Sequence, residues 1–339
     1  MGVDAMNRDS ARDQLMALML ASWQTQCIRA AVEFRIVEHL AGEPLTSGAL
    51  AAACGANEPS LRRLLRVLVV LGVLEVDAGH RYAPTAVGLA LRGGLAAATL
   101  YFAGEPAWSA WTGLNHSIRT GERAFDHVHG MRNWEYYASH PEAAVRFNTG
   151  MAGIAEGLSC AIVAAYDFSC FPVIADVGGG HGTLLAEILR HCPHTRAVFM
   201  DLDHLLGDAR ATLAGAGVSD RCELRSGDFM RAVPAGADGY LLKSVLHDWD
   251  DDQALTILRR CREAVTPSSR MIVIERLIPE RPGPGDLQSL LTDLNMMVMN
   301  GGRERTTSEF AGMLASAGFR LERVIPTGTV VSVLEALPA

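Results

Sequence analysis

The chain has 339 residues, of which 49% are hydrophobic and 20% are charged, so it is long enough for two or three domains with a sizeable buried core. The formal net charge of −8 argues against a nucleic-acid-binding surface. The chain lacks an uncharged apolar run of about 18 residues, an apolar leader and a CxxC pair among its seven cysteines, so we expect a cytoplasmic protein with reduced thiols and no membrane contact.

The amino-terminal third is predicted to be mainly helical. Apolar residues recur at helical intervals over residues 11–40, a capped helix is predicted over 46–52, and leucines line one face of a helix over 58–71. Residues 73–82 have the pattern of a small β-hairpin. The helix–helix–hairpin order is typical of a winged helix, so we predict a helical winged-helix domain over residues 1–104.

The pattern changes at residue 171. Before it, residues 105–166 are aromatic-rich and mostly helical in pattern, which predicts a helical linker region over 105–170. After it, short β-like runs alternate with helical segments, which predicts an α/β, Rossmann-like domain with a mainly parallel sheet over 171–339. Strands are predicted at 173–177, 197–201, 222–225, 239–244 and 271–275, helices at 183–191, 205–214, 251–265, 286–300 and 308–317, and a closing antiparallel pair at 320–325 and 329–334.

A glycine-rich turn follows the first of these strands. Asp176 is followed by Gly178, Gly180 and Gly182, and a helical pattern begins directly afterwards. Glycines let the backbone approach a ligand closely, and a helix amino terminus presents free N–H groups to an anionic ligand group. The G-x-G-x-G spacing behind an acid differs from the G-x-G-x-x-G of dinucleotide enzymes. It is the pattern used by methyltransferases that bind S-adenosylmethionine (SAM).

Polar residues end the next three strands. Asp201 is placed to accept hydrogen bonds from ribose hydroxyls, although a surface acid would fit the same position. Asp228 and Phe229 together suit an adenine, with the carboxylate accepting from the exocyclic amine and the ring stacking on the base. Lys243 is the only lysine of the chain. Its presence is either chance or a requirement for a compact ammonium group.

A histidine and two glutamates are predicted to reach the same edge of the sheet. His247 lies at a strand-to-helix junction, and histidine can accept a proton from a hydroxyl near neutral pH. Glu275 ends the fifth strand and Glu304 precedes the final helix, so both acids could orient the imidazole, although a surface ion pair is the alternative for Glu304. The aspartates at 250–252 fit helix capping. No metal site is expected, because no carboxylate pattern accompanies the histidine pairs His127/His129 and His191/His194.

The ordered motifs DVGGGHG, DL, GDF, LKSVLHDWDDD, VIERLIP and GGRERT resemble those of the cation-independent, plant-type small-molecule O-methyltransferases, and most closely the bacterial branch that modifies antibiotic and polyketide aromatics. The resemblance covers nearly the whole chain and implies SAM, an aromatic small-molecule acceptor and a homodimer formed through the amino-terminal helices. It implies that His247 is the general base, flanked by Glu275 and Glu304. The implied SAM-binding residues are Asp176, Gly178, Gly180, Gly182, Asp201, Leu202, Gly227, Asp228, Phe229, Lys243 and Ser244. The implied acceptor-binding residues are Phe147, Met151, Asp248, Met296 and Asn300. The resemblance also implies that the winged-helix domain over residues 1–104 is a dimerisation domain.

The chain departs from the family pattern at two positions. Asp203 stands where the family usually has proline, and Ser244 stands where plant members often carry an aromatic residue, which predicts an acceptor unlike plant phenylpropanoids. Three other functions stay open: N- or C-methyl transfer on the same scaffold, a scaffold that binds SAM without catalysis, and a SAM-responsive DNA regulator. The regulator would use Arg62, Arg63 and Arg66 on its recognition helix.

Overall fold

The computed structural model describes the backbone of residues 2–339 and the side chains of residues 10–339. The chain forms two compact units. The first consists of Met1–Trp111 and Trp134–Ala155, and the second of Thr112–Asn133 and Glu156–Ala339. The middle region over 105–170 therefore contributes to both units, and the domain limits at residues 104 and 170 remain predictions.

Helices dominate the described chain up to residue 165. In chain order they are α1 (Gly2–Glu33), α2 (Ile36–Leu40), α3 (Ser47–Cys54), α4 (Glu58–Val70), α5 (Ala86–Ala90), α6 (Gly94–Phe102), α7 (Ala107–Thr112), α8 (Leu114–Thr120), α9 (Ala124–His129), α10 (Asn133–Ser139), α11 (Pro141–Ile154) and α12 (Leu158–Ala165). Three short strands accompany them: β1 (Leu45–Thr46), β2 (Leu74–Val76) and β3 (Arg81–Pro84).

The helical pattern over 11–40 corresponds to two helices, α1 and α2. Arg35 has a φ of 50°, in the left-handed region, and an α-helix cannot continue through that conformation. The predicted α4 is confirmed: Asn57 caps it by accepting a hydrogen bond from the backbone N–H of Ser60 at 3.2 Å, and its leucine face is buried. The predicted hairpin is also confirmed, because β2 and β3 pair antiparallel in a three-stranded sheet of order β1-β3-β2.

Small residues let α6 and α11 pack closely in the first unit. A Cβ atom on Gly153 would lie 2.3 Å from Cα of Gly94, and one on Gly150 would lie 2.9 Å from Cα of Ala98.

By length and composition, Pro141–Ala165 is the one candidate membrane span found in the described chain, with 11% of its most apolar stretch buried. The span contains two helices, α11 and α12, with Gly157 at a φ of 78° between them.

The second unit is built on a seven-stranded sheet of order β6-β5-β4-β7-β8-β10-β9. Its strands are β4 (Val173–Val177), β5 (Arg196–Asp201), β6 (Cys222–Ser226), β7 (Gly239–Lys243), β8 (Arg270–Glu275), β9 (Phe319–Pro326) and β10 (Ser332–Pro338). The helices between them are α13 (Thr183–His191), α14 (Leu206–Gly215), α15 (Asp251–Ala264), α16 (Leu287–Met299) and α17 (Thr307–Ser316). β4 to β8 are parallel, and β10 is antiparallel to both of its neighbours, which confirms the predicted sheet.

Apolar side chains cover both faces of this sheet. Along β4, Ile174 packs into one buried cluster while Ala175 and Val177 pack into another, as the two-residue period of a strand requires. β4 lies between β5 and β7, so the chain runs outward through β5 and β6 before it returns to the other side of β4. In such sheets, ligands bind where the strand order reverses, at the carboxyl ends of the strands.

The last strand begins later than predicted. The sequence pattern placed it at 329–334, whereas β10 is Ser332–Pro338. The intervening residues form a turn in which the Thr327 hydroxyl donates to the carbonyl oxygen of Val331 at 2.6 Å and Gly328 has a φ of 73°. β10 also ends later than predicted, at Pro338.

Candidate active site

The glycine turn between β4 and α13 is shaped for close approach by a ligand. Gly178, Gly180 and Gly182 have φ values of 71°, 59° and 71°, a region that favours glycine. A Cβ atom on Gly180 would meet no atom within 4 Å, so open space lies above this backbone, next to the amino end of α13. A helix amino terminus with open space above it can receive an anionic ligand group, as SAM would require for its carboxylate.

Asp201, at the end of β5, closes the glycine turn. Its Oδ2 accepts a hydrogen bond from the backbone N–H of Gly180 at 2.8 Å, and its Oδ1 accepts one from the N–H of Leu202 at 2.7 Å. Each carboxylate oxygen has a second lone pair. The carboxylate is thus held at the crevice with acceptor capacity left for ribose hydroxyls.

An aromatic surface lies against the same turn. A Cβ atom on Gly178 would lie 3.1 Å from Cε1 of Phe229, and the Phe229 ring meets Trp249 edge-on with 6.0 Å between ring centroids. A ring in this place suits stacking on a purine. Asp228 uses one carboxylate oxygen on its own loop, where it accepts from the backbone N–H of Met230 at 2.9 Å.

Two further residues of the predicted SAM site shape the ends of their strands. Gly227 has no room for a side chain, because a Cβ atom there would lie 2.9 Å from Sδ of Met200. Ser244 has a φ of 55°, and its backbone N–H donates to the carbonyl oxygen of Ile274 at 3.0 Å. A serine in the left-handed region is a strained residue, and this one immediately precedes the turn that carries His247.

Buried charges alternate across the ends of β4, β7 and β8. Burial and the neighbouring Asp201 raise the pKa of Asp176 to about 7, while Lys243 lowers it. Burial lowers the pKa of Lys243, while Glu275 and Asp176 raise it. Because β7 lies between β4 and β8, the only lysine of the chain is placed between two buried carboxylates. A cation at this position favours the ionised form of each carboxylate.

The structure brings the three predicted catalytic side chains together. His247 lies in a short 3₁₀ turn, Leu246–Asp248, after β7. Its Nδ1 is 3.5 Å from Oε2 of Glu275 and 3.4 Å from Oε1 of Glu304, and both carboxylates are buried. Its Nε2 is 3.7 Å from Oδ1 of Asp248, and the imidazole is 20% exposed.

The carboxylates make this imidazole unusually basic. Burial lowers the pKa of His247, but Glu275, Asp248 and Glu304 together raise it to about 10. Among the described residues, Nδ1 of His247, Oε2 of Glu275 and Oε2 of Glu304 are buried without a hydrogen-bond partner. The same three side chains are the one group found in the described chain whose ligand atoms lie within 4.8 Å of one another, as a metal site would require.

An amide array lies beside His247. Oδ1 of Asp248 accepts from Nδ2 of Asn300 at 2.6 Å, and the side-chain amide of Asn133 donates to Oδ1 of Asn300. Nε of Arg123 donates to the backbone oxygen of Asn300 at 2.6 Å. Two of the predicted acceptor-binding residues, Asp248 and Asn300, therefore meet on the Nε2 side of the imidazole.

The other predicted acceptor-binding residues lie on helices. Met296 is on α16, and its backbone oxygen accepts from the N–H of Asn300 at 2.9 Å. Phe147 and Met151 are on α11 in the first unit, where the Phe147 ring stacks on Tyr137 with 4.8 Å between centroids. Their contribution to acceptor binding stays a prediction.

Three residues that shape this site were not singled out from the sequence. Arg305 is fully buried and donates to the carbonyl oxygens of Leu246 and Trp249, on either side of His247. Trp249 flanks Phe229, and Asn133 contacts Asn300. Arg305 and Trp249 lie within the GGRERT and LKSVLHDWDDD motifs, so their motif positions were the available signal. Asn133 had none, because its partner lies 167 residues away.

Comparison with known proteins identifies the class of enzyme. The family profile described as the O-methyltransferase domain matches residues 111–320, and the profile described as the O-methyltransferase dimerisation domain matches residues 16–92. The chain belongs to the family of SAM-dependent O-methyltransferases.

Similar proteins cover nearly the whole chain. The mitomycin biosynthesis 6-O-methyltransferase of Streptomyces lavendulae is 41% identical over 95% of this chain and 93% of its own, and the phenazine O-methyltransferase of Lysobacter antibioticus is 38% identical over 96% and 95%. The solved structure of a mitomycin 7-O-methyltransferase has a TM-score of 0.90 at 39% identity, covering 99% of this chain and 100% of that one. An O-methyltransferase from neocarzinostatin biosynthesis, solved with SAM and 2-hydroxy-5-methyl naphthoic acid, has a TM-score of 0.76 at 32% identity, covering 93% and 96%.

Proposed function

We propose that this enzyme transfers the methyl group of SAM to a phenolic hydroxyl of an aromatic natural product, with His247 as the general base. The observation that carries the proposal is the His247 imidazole, faced by two buried carboxylates at the sheet edge that holds the glycine turn. The relatives support the acceptor class, because their names refer to mitomycin and phenazine and one structure contains a naphthoic acid.

His247 is matched to the proton that the reaction must remove. Bound SAM supplies an electrophilic methyl group on a sulfonium. A phenol has a pKa of about 10, and the surrounding carboxylates raise the pKa of His247 to about 10. Transfer of the phenolic proton to the neutral imidazole is therefore nearly balanced in free energy. Because a pKa of about 10 also keeps most of the imidazole protonated near pH 7, kcat/KM should rise with pH as the neutral form appears.

Glu275 and Glu304 would select the useful form of the imidazole. Both carboxylates face Nδ1, so they favour the tautomer that carries its proton there. That tautomer leaves the lone pair of Nε2 free to accept the acceptor's proton. The negative charges then stabilise the imidazolium that forms.

Asp248 and Asn300 would hold the acceptor on the Nε2 side of His247. Their side chains are hydrogen-bonded to each other, so an acceptor with a second polar group next to the reacting hydroxyl could bond to either. We infer that Met296 packs against the acceptor ring, since methionine side chains suit flat aromatic ligands. For Phe147 and Met151, acceptor binding stays a prediction.

Replacing His247 tests the general-base assignment. His247→Ala should lower methyl transfer from labelled SAM to the best acceptor of a phenol panel by roughly 100-fold, while calorimetry should show little change in the affinity for S-adenosylhomocysteine (SAH). His191→Ala is the matched control, because His191 is an exposed residue on α13 whose side chain pairs with Glu187. Full turnover by His247→Ala would contradict the assignment.

The reaction and its acceptor atom are part of the proposal, because the names of relatives differ in both. A protein of Streptomyces davaonensis that is 32% identical is named an 8-amino-8-demethylriboflavin N,N-dimethyltransferase, and a 36% identical protein of Streptomyces purpurascens is named aclacinomycin 10-hydroxylase. A panel of matched phenols and anilines, assayed with labelled SAM and analysed by mass spectrometry, decides between O- and N-methylation. Methylation of anilines alone would contradict a phenolic acceptor.

We also propose a cytoplasmic homodimer. The matched dimerisation domain and the exposed apolar residues Leu18, Met19 and Trp23 on α1, which are 65%, 62% and 68% exposed, support association through the amino-terminal helices. Seven free cysteines fit a reducing compartment. Light scattering should show a dimer for the native enzyme and for the control Leu287→Glu, and a monomer for Trp23→Glu. A native monomer would contradict the proposal.

A further inference from the structure

The turn that carries His247 has its backbone polar groups held by buried side chains. We call residues 245–249 the catalytic turn. Oε1 of Glu275 accepts hydrogen bonds from the backbone N–H groups of Val245 at 2.9 Å and Leu246 at 2.8 Å. Glu275 therefore uses one carboxylate oxygen to fix the start of the catalytic turn while the other faces the imidazole.

Arg305 holds the carbonyl side of the catalytic turn. Its guanidinium donates to the carbonyl oxygen of Leu246 at 2.9 Å and to that of Trp249 at 3.0 Å. The backbone N–H of Arg303 donates to the carbonyl oxygen of His247 itself at 2.9 Å. The peptide groups on both sides of His247 are thus fixed, so the Cα atom from which the imidazole projects cannot move without breaking at least one of these bonds.

The position of this guanidinium requires an arginine. Arg305 is fully buried, and both Nε and Nη2 donate to Oδ1 of Asp251, at 3.0 and 2.8 Å. A buried charge is costly unless it is paired and hydrogen-bonded. The planar fork of arginine can reach one carboxylate and two carbonyl oxygens at once, whereas the single ammonium of lysine cannot match that geometry. Asp251 thus does more than provide charge at the start of α15.

Arg305 also links two parts of the catalytic cluster. It directly follows Glu304, whose carboxylate faces Nδ1 of His247. The segment that supplies this carboxylate therefore also binds the backbone of the catalytic turn. Without the hydrogen bonds from Arg305, the distance between the imidazole and the Glu304 carboxylate would no longer be fixed.

We propose that Arg305 is a positioning residue that holds the catalytic turn so that the His247 imidazole stays aligned with Glu275 and Glu304. The proposal rests on the proposed role of His247 as the general base. Arg305 does not contact the reacting atoms in this arrangement. It acts through the two carbonyl oxygens that it binds.

The test compares Arg305→Lys and Arg305→Met in the full-length enzyme. Arg305→Lys should lower kcat by roughly tenfold, and Arg305→Met by more, because a misplacement of about 1 Å can cost 100-fold. The KM for SAM and the affinity for SAH should stay within about twofold, because the substitution leaves the interactions that bind the cofactor unchanged. The acidic limb of the pH profile of kcat/KM should move to lower pH, because an imidazole further from the carboxylates is less basic.

Arg221→Lys is the matched control. Arg221 donates to the carbonyl oxygens of Leu189, Cys192 and Thr195, at 2.6, 2.9 and 3.1 Å. Like Arg305, it is a residue of the second unit whose guanidinium binds several backbone carbonyl oxygens. Its partners lie at the end of α13 and before β5, outside the catalytic cluster. Arg221→Lys should lower the melting temperature without changing kcat per folded enzyme or the pH profile.

The outcomes separate this proposal from the role of His247. If both Arg305 variants keep the native kcat and pH profile while only the melting temperature falls, as for Arg221→Lys, Arg305 is merely structural and the proposal is overturned. If His247→Ala keeps full turnover, the general-base proposal fails instead. Should Arg305→Met not fold, Arg305→Lys and Asp251→Asn carry the test. Asp251→Asn weakens the partner of the guanidinium and should lower kcat in the same direction, and an unchanged kcat in both would overturn the proposal.

Discussion

Gly302 lies against the backbone of His247, so replacing it with alanine should displace the imidazole. A Cβ atom on residue 302 would lie 2.0 Å from the carbonyl oxygen of His247 and 2.9 Å from Cα of Asp248. Both neighbours are backbone atoms, which cannot rotate away as a flexible side chain would. Contacts of a real Cβ atom essentially never fall below 3.0 Å, so either the catalytic turn or the backbone at Gly302 must move by about 1 Å.

A displacement of about 1 Å at a catalytic group can cost 100-fold in rate, equivalent to about 2.7 kcal/mol of transition-state stabilisation. We therefore expect kcat for Gly302→Ala to fall by roughly that factor, with SAH binding retained because the glycine turn after β4 is not touched. Initial rates with labelled SAM, together with calorimetric titration of SAH, measure both quantities. Circular dichroism confirms that the variant is folded.

The control is the same substitution on the next helix. Gly312 is in α17, and a Cβ atom there would meet no atom within 4 Å. Gly312→Ala should leave kcat unchanged and raise the free energy of unfolding by up to about 1 kcal/mol, because alanine is the better helix former. A folded Gly302→Ala enzyme with native kcat would refute the reasoning, since it would mean that the turn yields without moving His247 out of alignment.

Other consequences can be measured on the same enzyme. Glu304→Gln removes a negative charge 3.4 Å from Nδ1 of His247; the pKa of the imidazole should fall and the acidic limb of kcat/KM should shift to lower pH, and an unshifted limb would contradict the electrostatic role of Glu304. Phe229→Ala should raise the KM for SAM by roughly tenfold, because stacking on a base contributes about 1–3 kcal/mol; an unchanged KM would remove Phe229 from the cofactor site. A chelator should leave the rate unchanged, and inhibition reversed by added Mg²⁺ or Zn²⁺ would show that the His247 cluster holds a metal. Burial alone would raise the pKa of Glu335, but hydrogen bonds from Tyr166 and Arg323 leave it below its ordinary value. The ionised carboxylate therefore stabilises the fold at pH values above its unfolded-state pKa, and this contribution is lost as the pH falls through the folded-state pKa. Glu335→Gln should therefore cost about 1–3 kcal/mol at pH 7 and less in acid, without changing kcat; urea titrations at both pH values would reveal a constant difference if the reasoning were wrong.

Much of the second unit could be predicted because its signals are local. The spacing of Asp176 and the three glycines depends only on a strand followed by a tight turn and a helix, and the order of strands and helices follows from apolar periodicity. Residues that end parallel strands share one edge of the sheet, so the convergence of Asp201, His247 and Glu275 followed from the strand assignments. The late start of β10 was missed because the turn at Thr327 and Gly328 interrupts an apolar pattern.

The sequence by itself determined the class of enzyme and the side chains available for chemistry, since both depend on residues close together in the chain. Only the tertiary structure decided which oxygen atoms surround each nitrogen of His247, and that Glu275 also holds the backbone before it. It likewise decided that Arg305, 56 residues beyond Trp249, grips the catalytic turn. These contacts join segments far apart in sequence, and the order of strands in the sheet sets their distances, so no local pattern encodes them.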